Sequence, residues 1–565
     1  MSARGFVQLM AAFIALVVVA VLSGRALARL RPPSEPTFIA SRWKEGKLVA
    51  RTVTKTTEST LDDVEGTLVF ERVIGESWLP QFSEGATAVS LLAAHDGVRV
   101  DLGGKTTYVT PDDLLSRQAY DHGITIDALS LTMGADIPVV VAVAAERLGK
   151  NPLDVRDHAT FRRIRTERII PGSLPERPID SDSFDDAMAS KWVLAAAHHL
   201  ARGVNAEGRF RYLINVPTNQ TLGGYDWPRH AGATYFVAQA AKHAHDVGDP
   251  DASSLDRAAI KAATLLGSSA FVPCGEHKCI GEGDTLEIGS IALTTIAFSE
   301  IVSTNLDRSF LPLVSNLADT IVSLQRDDGE FRHEIHRDGS MIDVQLPYFS
   351  GEAALALVRA HALTKDARYL DGARKSVAWL TGPAWRFFGD RYYFAEEHWT
   401  CQAVGETWPN APNVADAEQR RHMDDALDFC LRWQAFNRSV QLHKEDCVLD
   451  CDGALGVGPL VTPRFTPVAS RCEAGVATLA AAIESHADPK EIAALRSQIR
   501  RSLALLARQQ FHGQLEHLMA SPDAVRGGMP GSEVDWQIRI DYAQHAGSAM
   551  LRWLSLPPSA KSPAK

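Results

Sequence analysis

Residues 347–380 read PYFSGEAALALVRAHALTKDARYLDGARKSVAWL, and two kinds of helix are written into them. GEAALALVRAHAL (351–363) opens on small residues, which let a helix approach its neighbours closely. YLDGARKSVAWL (369–380) spaces its apolar residues by three and four with charges between, the pattern of a helix with one wet face. Working outward, the amphipathic kind recurs at 185–203, 253–269, 310–325, 369–380, 423–436 and 491–510. The small-residue kind recurs at 229–242, 289–302, 351–363, 397–408, 471–484 and 544–554, so its starts are 60, 62, 46, 74 and 73 residues apart. Hairpins repeated at such intervals cannot bury their apolar faces alone. Six of them predict a closed double ring over residues 184–555, amphipathic helices outside and small-residue helices inside. The loops 325–334 (QRDDGEFRHE) and 509–517 (QQFHGQLEH) share an outline of Gln, charge, Gly and a bulky residue.

Before the ring the texture differs. Residues 37–175 read as a small α+β domain: 48–59 and 65–74 are strand-like, and 96–110 is a hairpin around Gly103-Gly104. Thr110 and Pro111 open a helix that Gly123 would stop. This domain holds no nucleophile–base pair and no phosphate loop, and reads as structural or binding. A short linker, Arg31-Pro32-Pro33, precedes it, and prolines 171, 175 and 178 separate it from the ring. Residues 556–565 read as a disordered tail.

Residues 1–28 read as a signal peptide or signal anchor. Residues 6–24 form a 19-residue uncharged apolar run, followed by Ala26-Leu27-Ala28, a small-x-small cleavage pattern. Arg25, Arg29 and Arg31 oppose export by the positive-inside rule. The expectation is an exported, periplasmic or extracellular protein, held to the membrane through residues 6–24 if they are not cleaved. The cysteines agree. Cys274/Cys279 and Cys447/Cys451 are close pairs in polar loops, expected as disulfides, with a metal site around His277 the sharper alternative. A seventh cysteine is left over. The net charge of −11 (69 acidic against 58 basic residues), with no basic run, excludes a nucleic-acid partner. Hydrophobic residues at 45% and charged residues at 22% exclude wholesale disorder.

The alternation, and residues 347–380 above all, resembles the α/α-toroid carbohydrate-active enzymes: glucuronyl and N-acylglucosamine epimerases, unsaturated glucuronyl hydrolases and polysaccharide lyases. The resemblance covers residues 184–555 and is architectural. It implies a central cavity lined by inner-helix starts and a glycan or polysaccharide as the partner.

The sequence places ionisable and aromatic groups at those starts: 225–230 (YDWPRH), 332–334 (RHE), 347–352 (PYFSGE), 397–399 (EHW), 471–473 (RCE) and 539–545 (RIDYAQH). Tyr225, His230, Tyr348, Glu352, His398, Asp541 and His545 are the expected proton-transfer or orienting residues. Trp227, Arg229, Trp399, Arg539 and Tyr542 are the expected substrate-binding residues, the arginines as carboxylate anchors. A tyrosine beside arginine would have its ionised form favoured. Hydrolysis would pair Glu352 with Asp541 or Glu397. Converging helix N-termini favour an anionic ligand such as a uronate. The bland readings are a helix-capping Glu352 and packing histidines at 230 and 545. No Walker loop, dinucleotide fingerprint, GxSxG elbow or HExxH helix is present, and no cofactor or metal is expected. Asp424-Asp425 falls on an outer helix and reads as solvated. The expected function is an exported enzyme acting on a polysaccharide, with uronates favoured, by epimerisation, elimination or hydrolysis. The alternative is a non-catalytic glycan- or peptide-binding toroid of an envelope assembly.

Overall fold

The structure is a computed structural model that describes residues 29–58, 61–120, 122–126, 129–172, 179–346, 348–382, 397–407, 417–446, 451–456 and 461–561. The apolar run 6–24, prolines 175 and 178, and Cys447 lie outside the described residues. Among the described residues no helix is long and apolar enough to cross a membrane.

Among the described residues, twelve helices build the ring. In chain order they are α1 (Asp186–Arg202), α2 (Trp227–Val247), α3 (Ala252–Leu266), α4 (Ile288–Ser303), α5 (Leu311–Leu324), α6 (Phe349–Thr364), α7 (Ala367–Thr381), α8 (Glu397–Thr407), α9 (Ala417–Ser439), α10 (Phe465–Glu484), α11 (Pro489–Gln509) and α12 (Ile540–Ser555). The even-numbered helices are inner. Each packs against the next, and α12 packs against α2, so the inner ring is closed. Outside, α11 packs against α1. Burial follows the sequence pattern. Inner α4 buries every residue from Ile288 to Ser299, whereas outer α3 buries the stripe Leu255, Ala258, Ala259, Ala262, Ala263 and Leu266. Glycine sets the inner spacing: a Cβ on Gly351 would stand 2.8 Å from the Thr400 backbone nitrogen and 2.9 Å from Trp399 Cβ.

Two inner starts differ from the sequence reading. Helix α10 begins at Phe465 and α12 at Ile540, six and four residues before the small-residue motifs that signalled them. Arg471 is therefore a full turn and more inside α10, where its guanidinium lies over Trp433 of outer α9 and not at the mouth. Asp424 and Asp425 are exposed on α9.

One stitch recurs between outer helices. Gln325, Gln441 and Gln510 follow α5, α9 and α11, and each donates its side-chain amide to a carbonyl on the next outer helix: Gly372 (2.8 Å), Gln498 (3.0 Å) and Trp192 (3.2 Å). Glycines complete it. Gly208, Gly329, Gly453 and Gly527 have φ of 92°, 98°, 95° and 83°, and a Cβ on any of them would collide with the carbonyl of Lys261, Lys375, Arg501 or Ala195 on the next outer helix. In the last loop this glycine is Gly527, not Gly513, which opens a 3₁₀ turn.

The N-terminal domain is an antiparallel sheet of six strands, β1 (Phe38–Lys44), β2 (Lys47–Thr54), β3 (Thr67–Trp78), β4 (Asp96–Leu102), β5 (Lys105–Val109) and β6 (Thr160–Ile169), in the order β2-β1-β3-β6-β4-β5. Gly103 and Gly104 both take positive φ (58° and 77°) in the β4–β5 turn, the geometry of a tight hairpin. Thr110 caps the helix Pro111–Ser116 with a full capping box to Asp113. That helix ends at Arg117, because Gly123 is already inside the strand His122–Ile126. The stretch 31–33 is not a free linker, since Arg31 pairs through its backbone with Glu76. The domain's core continues into Ile214, Val216, Phe511, Leu518, Trp536 and Ile538 from the first and last loops of the ring, so the sheet domain sits on the ring's seam. The tail is ordered through Lys561: Ala560 is buried, and its carbonyl accepts from Arg496 Nε at 2.5 Å.

Cys274 and Cys279 form the expected disulfide across the hairpin Phe271–Cys274/His277–Ile280. Cys451 is disulfide-bonded, its expected partner Cys447 lying outside the described residues. A further bridge, Cys401–Cys430, joins α8 to α9 with Cα atoms 5.7 Å apart. It was invisible to local spacing because hairpin packing brings together residues 29 apart. Cys472 is the buried free thiol. Reducing Cys401–Cys430 is expected to cost about 3–4 kcal/mol, against about 2 kcal/mol for the shorter 274–279 loop. Urea denaturation of single Cys→Ser variants checks this, and equal losses would count against it.

Candidate functional site

The inner-helix starts on the side of the sheet domain carry three groups of polar residues. The first is built on α2. Asp226 caps the helix, accepting from the Arg229 N–H at 3.1 Å. His230 Nε2 donates to the Ala262 carbonyl at 3.1 Å, so Nδ1 accepts from the Tyr225 hydroxyl at 2.5 Å. The Phe210 N–H in turn donates to Tyr225 at 3.1 Å. Burial pushes the Tyr225 hydroxyl up to about 12 and His230 down to about 4. Both therefore stay neutral. The favoured tyrosinate does not arise at Tyr225, because burial outweighs Arg209, whose guanidinium covers Tyr225 and Trp227 at 4.7 and 5.0 Å. This group is a fully bonded wall.

The second group is the arginine pair. Arg539 holds Asp541 through two hydrogen bonds (Nε–Oδ1 2.6 Å, Nη2–Oδ2 2.8 Å), and Arg229 Nε lies 3.5 Å from the same carboxylate. Arg229 also binds Asp226 at 2.6 Å and the Tyr212 hydroxyl at 3.3 Å. Arg539 lies over Tyr542 at 4.8 Å. The two guanidiniums expected to anchor a substrate carboxylate are thus already answered by Asp541 and Asp226.

The third group lies deeper and joins four inner helices. His545 of α12 and Glu473 of α10 are 2.6 Å apart, Nδ1 to Oε2. Since the carboxylate accepts, Nδ1 carries the proton. The other carboxylate oxygen accepts from the Tyr235 hydroxyl of α2 at 3.4 Å, and Tyr235 accepts from Gln544 Nε2 at 2.8 Å. Burial alone would lower His545, but the adjacent Glu473 carboxylate outweighs it and raises the pKa above the ordinary histidine range. His398, at the start of α8, stands edge-on to His545 with centroids 5.6 Å apart. Tyr348 stands edge-on to His398, with ring centroids 5.8 Å apart. It is an exposed residue with φ of 77°, a left-handed conformation that costs a non-glycine about 1–3 kcal/mol and is typical of functional positions. Trp399 is buried between His398 (4.8 Å) and His545 (5.9 Å), so it backs the imidazoles and offers no open stacking face. Glu352 is buried in the first turn of α6 against Gly289, where a Cβ would lie 2.8 Å from its carboxylate oxygen. The Glu397 side chain lies outside the described set.

Tyr348, His398 and His545 therefore come together; Arg229, Arg539 and Asp541 form a locked cluster; Tyr225, Trp227 and His230 form a separate wall. Glu473 and Tyr235 were not among the expected site residues. Glu473 stands in the quoted 471–473 cluster, but nothing in the sequence said that it faces inward. His398, Glu473 and His545 also bring metal-ligating atoms within 4.8 Å of one another. As it stands, the His545 Nδ1–Glu473 Oε2 separation of 2.6 Å is that of a hydrogen bond, shorter than the about 3.4 Å between two ligands on one tetrahedral zinc.

No family model matches the chain, and no curated protein matches it in sequence. Solved structures that resemble it belong to the α/α-toroid carbohydrate-active group. D-mannose isomerase is 11% identical, with 67% of this chain and 99% of that one covered and a TM-score of 0.45. The cellobiose 2-epimerase of Bacillus thermoamylovorans B4167 is 10% identical over 66% and 99%, with a TM-score of 0.48. An α-mannanase of Bacteroides thetaiotaomicron is 11% identical over 65% and 95%, with a TM-score of 0.42. At such values the likeness is one of architecture, and the chemistry has to be argued from the residues.

Proposed function

We propose that the chain is a sugar isomerase or epimerase that moves a proton at the carbon beside the carbonyl of a reducing saccharide. The observation that carries this reading is the Glu473–His545 pair at 2.6 Å with His398 edge-on beside it. One imidazole takes the proton from carbon, and the electron pair moves to the carbonyl oxygen to give an enediolate. The second imidazole returns a proton to the same or the neighbouring carbon. His545, biased to its protonated form by Glu473, is the donor; His398 is the base. Hydrolysis through Glu352 and Asp541 finds less support, because both Asp541 oxygens are already bonded to Arg539, with Arg229 beside them. A uronate would need one of those arginines to release its aspartate, so the pairing favours a neutral sugar.

Incubating the protein with glucose, mannose and cellobiose in D₂O, and following the C2 proton by NMR, tests this reading. Deuterium should enter with the wild type and not with His398→Asn or His545→Asn. A wild type that binds a sugar without exchange supports the non-catalytic toroid instead. We also infer export, supported by disulfides at Cys274–Cys279, Cys401–Cys430 and Cys451, since such bridges persist in oxidising compartments. Attachment through residues 6–24 belongs to the same proposal, and fractionation of cells expressing the full chain decides it.

A further inference from the structure

Away from the imidazoles, a cavity of about 270 Å³ opens between the end of α1, the turn after it and the last loop of the ring. His199, Arg202, Phe210, Arg211, Ile214 and Asp523 line it. Two guanidiniums gather here against one lining carboxylate, Asp523, which acts on Arg202 from the rim. Arg202 donates to the Arg526 carbonyl at 2.7 Å, and Arg211 donates to Thr221 Oγ1 and Asn219 Oδ1, each at 2.8 Å, and to the Asn219 carbonyl. All four acceptors are neutral, and neither guanidinium has an ion pair among the described residues. Asp523, on the rim, pairs with Arg526 at 3.4 Å.

His199 adds an independent observation. It is 5% exposed, and its buried Nδ1 has no hydrogen-bond partner. Burial first, then Arg202 and Arg211, push its pKa down to about 3, so it is a neutral imidazole beside two guanidiniums. Phe210 and Ile214 keep one wall apolar, which strengthens any charge–charge contact made inside. Arg202 stands in the last turn of α1, where it also offsets that helix's negative end. Two guanidiniums hydrogen-bonded only to neutral oxygens, beside an imidazole that carries no charge, find their complement in an oxyanion that accepts from them.

We propose that this cavity binds a phosphate-class oxyanion, as free phosphate or as the phosphomonoester of a small molecule, with Arg202 and Arg211 on its oxygens and the neutral His199 imidazole in its wall. The site is separate from the imidazole group and does not rest on the isomerase reading. Isothermal titration of the full chain at low salt, with inorganic phosphate and in parallel with glucose 6-phosphate, tests it. Saturable binding of at least one probe is expected, and the tighter probe tells free phosphate from the monoester. Arg202→Gln and Arg211→Gln should each weaken it about tenfold or more. Arg156→Gln, on an exposed side chain remote from the cavity lining, should leave it unchanged. Arg202 is exposed, so its variant decides the matter if Arg211→Gln does not fold. No saturable binding of either probe, full affinity in Arg202→Gln, or an equal loss in Arg156→Gln would each overturn the assignment.

Discussion

A Glu473→Gln variant is expected to lose about a hundredfold to a thousandfold in the rate of proton exchange while keeping its fold. Glutamine fills the same space and can still accept from Tyr235, but it takes away the charge that holds the proton on His545 Nδ1. Burial then acts on His545 with only the weaker pull of Asp541 against it and lowers its pKa. In the wild type the imidazolium is lost as pH rises through the raised value, which sets the alkaline limb of kcat/KM. In the variant that limb should move to lower pH, which a merely structural role for Glu473 would not produce. The same contact stabilises the fold: its contribution is fully present below the unfolded histidine pKa and is lost as pH rises through the folded one. An unshifted pH profile in a folded Glu473→Gln protein would remove Glu473 and His545 from the chemistry.

The second large effect belongs to the sheet domain. Asp113 is fully buried, bonded to Arg147 by both oxygens (2.6 and 2.8 Å) and to Arg51 at 2.5 Å, and it closes the capping box with Thr110. Burial would raise its carboxyl, but the two guanidiniums outweigh burial and hold it well below the usual range. Asp113→Ala leaves two guanidiniums buried without their partner, a change that costs about 3–5 kcal/mol. Denaturation should show the domain melting ahead of the ring, with Asp113→Asn intermediate. Stability from Asp113 and from Asp112, likewise lowered by Arg168 and His517 against burial, is present above the unfolded aspartate pKa and fades as pH falls through the folded ones. Wild-type stability that stayed flat down to pH 2 would contradict both assignments.

The ring was legible because the two helix types differ in composition, and closure requires only that six hairpins of that kind find neighbours. Legibility ended where direction mattered. Small residues at 471–475 pointed to a helix start, yet α10 begins at Phe465, and the extra turns send Arg471 outward to Trp433 and Glu473 inward to His545. Aromatic character suggested a sugar platform at Trp399, but Gly351 brings α6 hard against that turn and buries the ring. Arginines beside aspartates in 225–230 and 539–545 look the same in sequence whether they await a substrate or already hold each other, and here they hold each other. Gln325 and Gln510 were read as a repeat and do the same work, whereas the glycine that completes it was misplaced by fourteen residues, from Gly513 to Gly527.

The seam between α12 and α2 has a consequence for synthesis on the ribosome. Helix α2 ends at Val247 and its ring neighbour α12 begins at Ile540, so close to 300 residues must be made before the two can meet. At about 5–20 residues per second that is an interval of roughly 15–60 s, during which one flank of α2 has no partner. The sheet domain waits as well, because Trp536 and Ile538 of its core arrive just before α12. The last fifty residues thus act as the latch of the whole molecule. A translational pause or truncation ahead of them would leave both the ring and the sheet domain open at the same joint, in a nascent chain prone to aggregate.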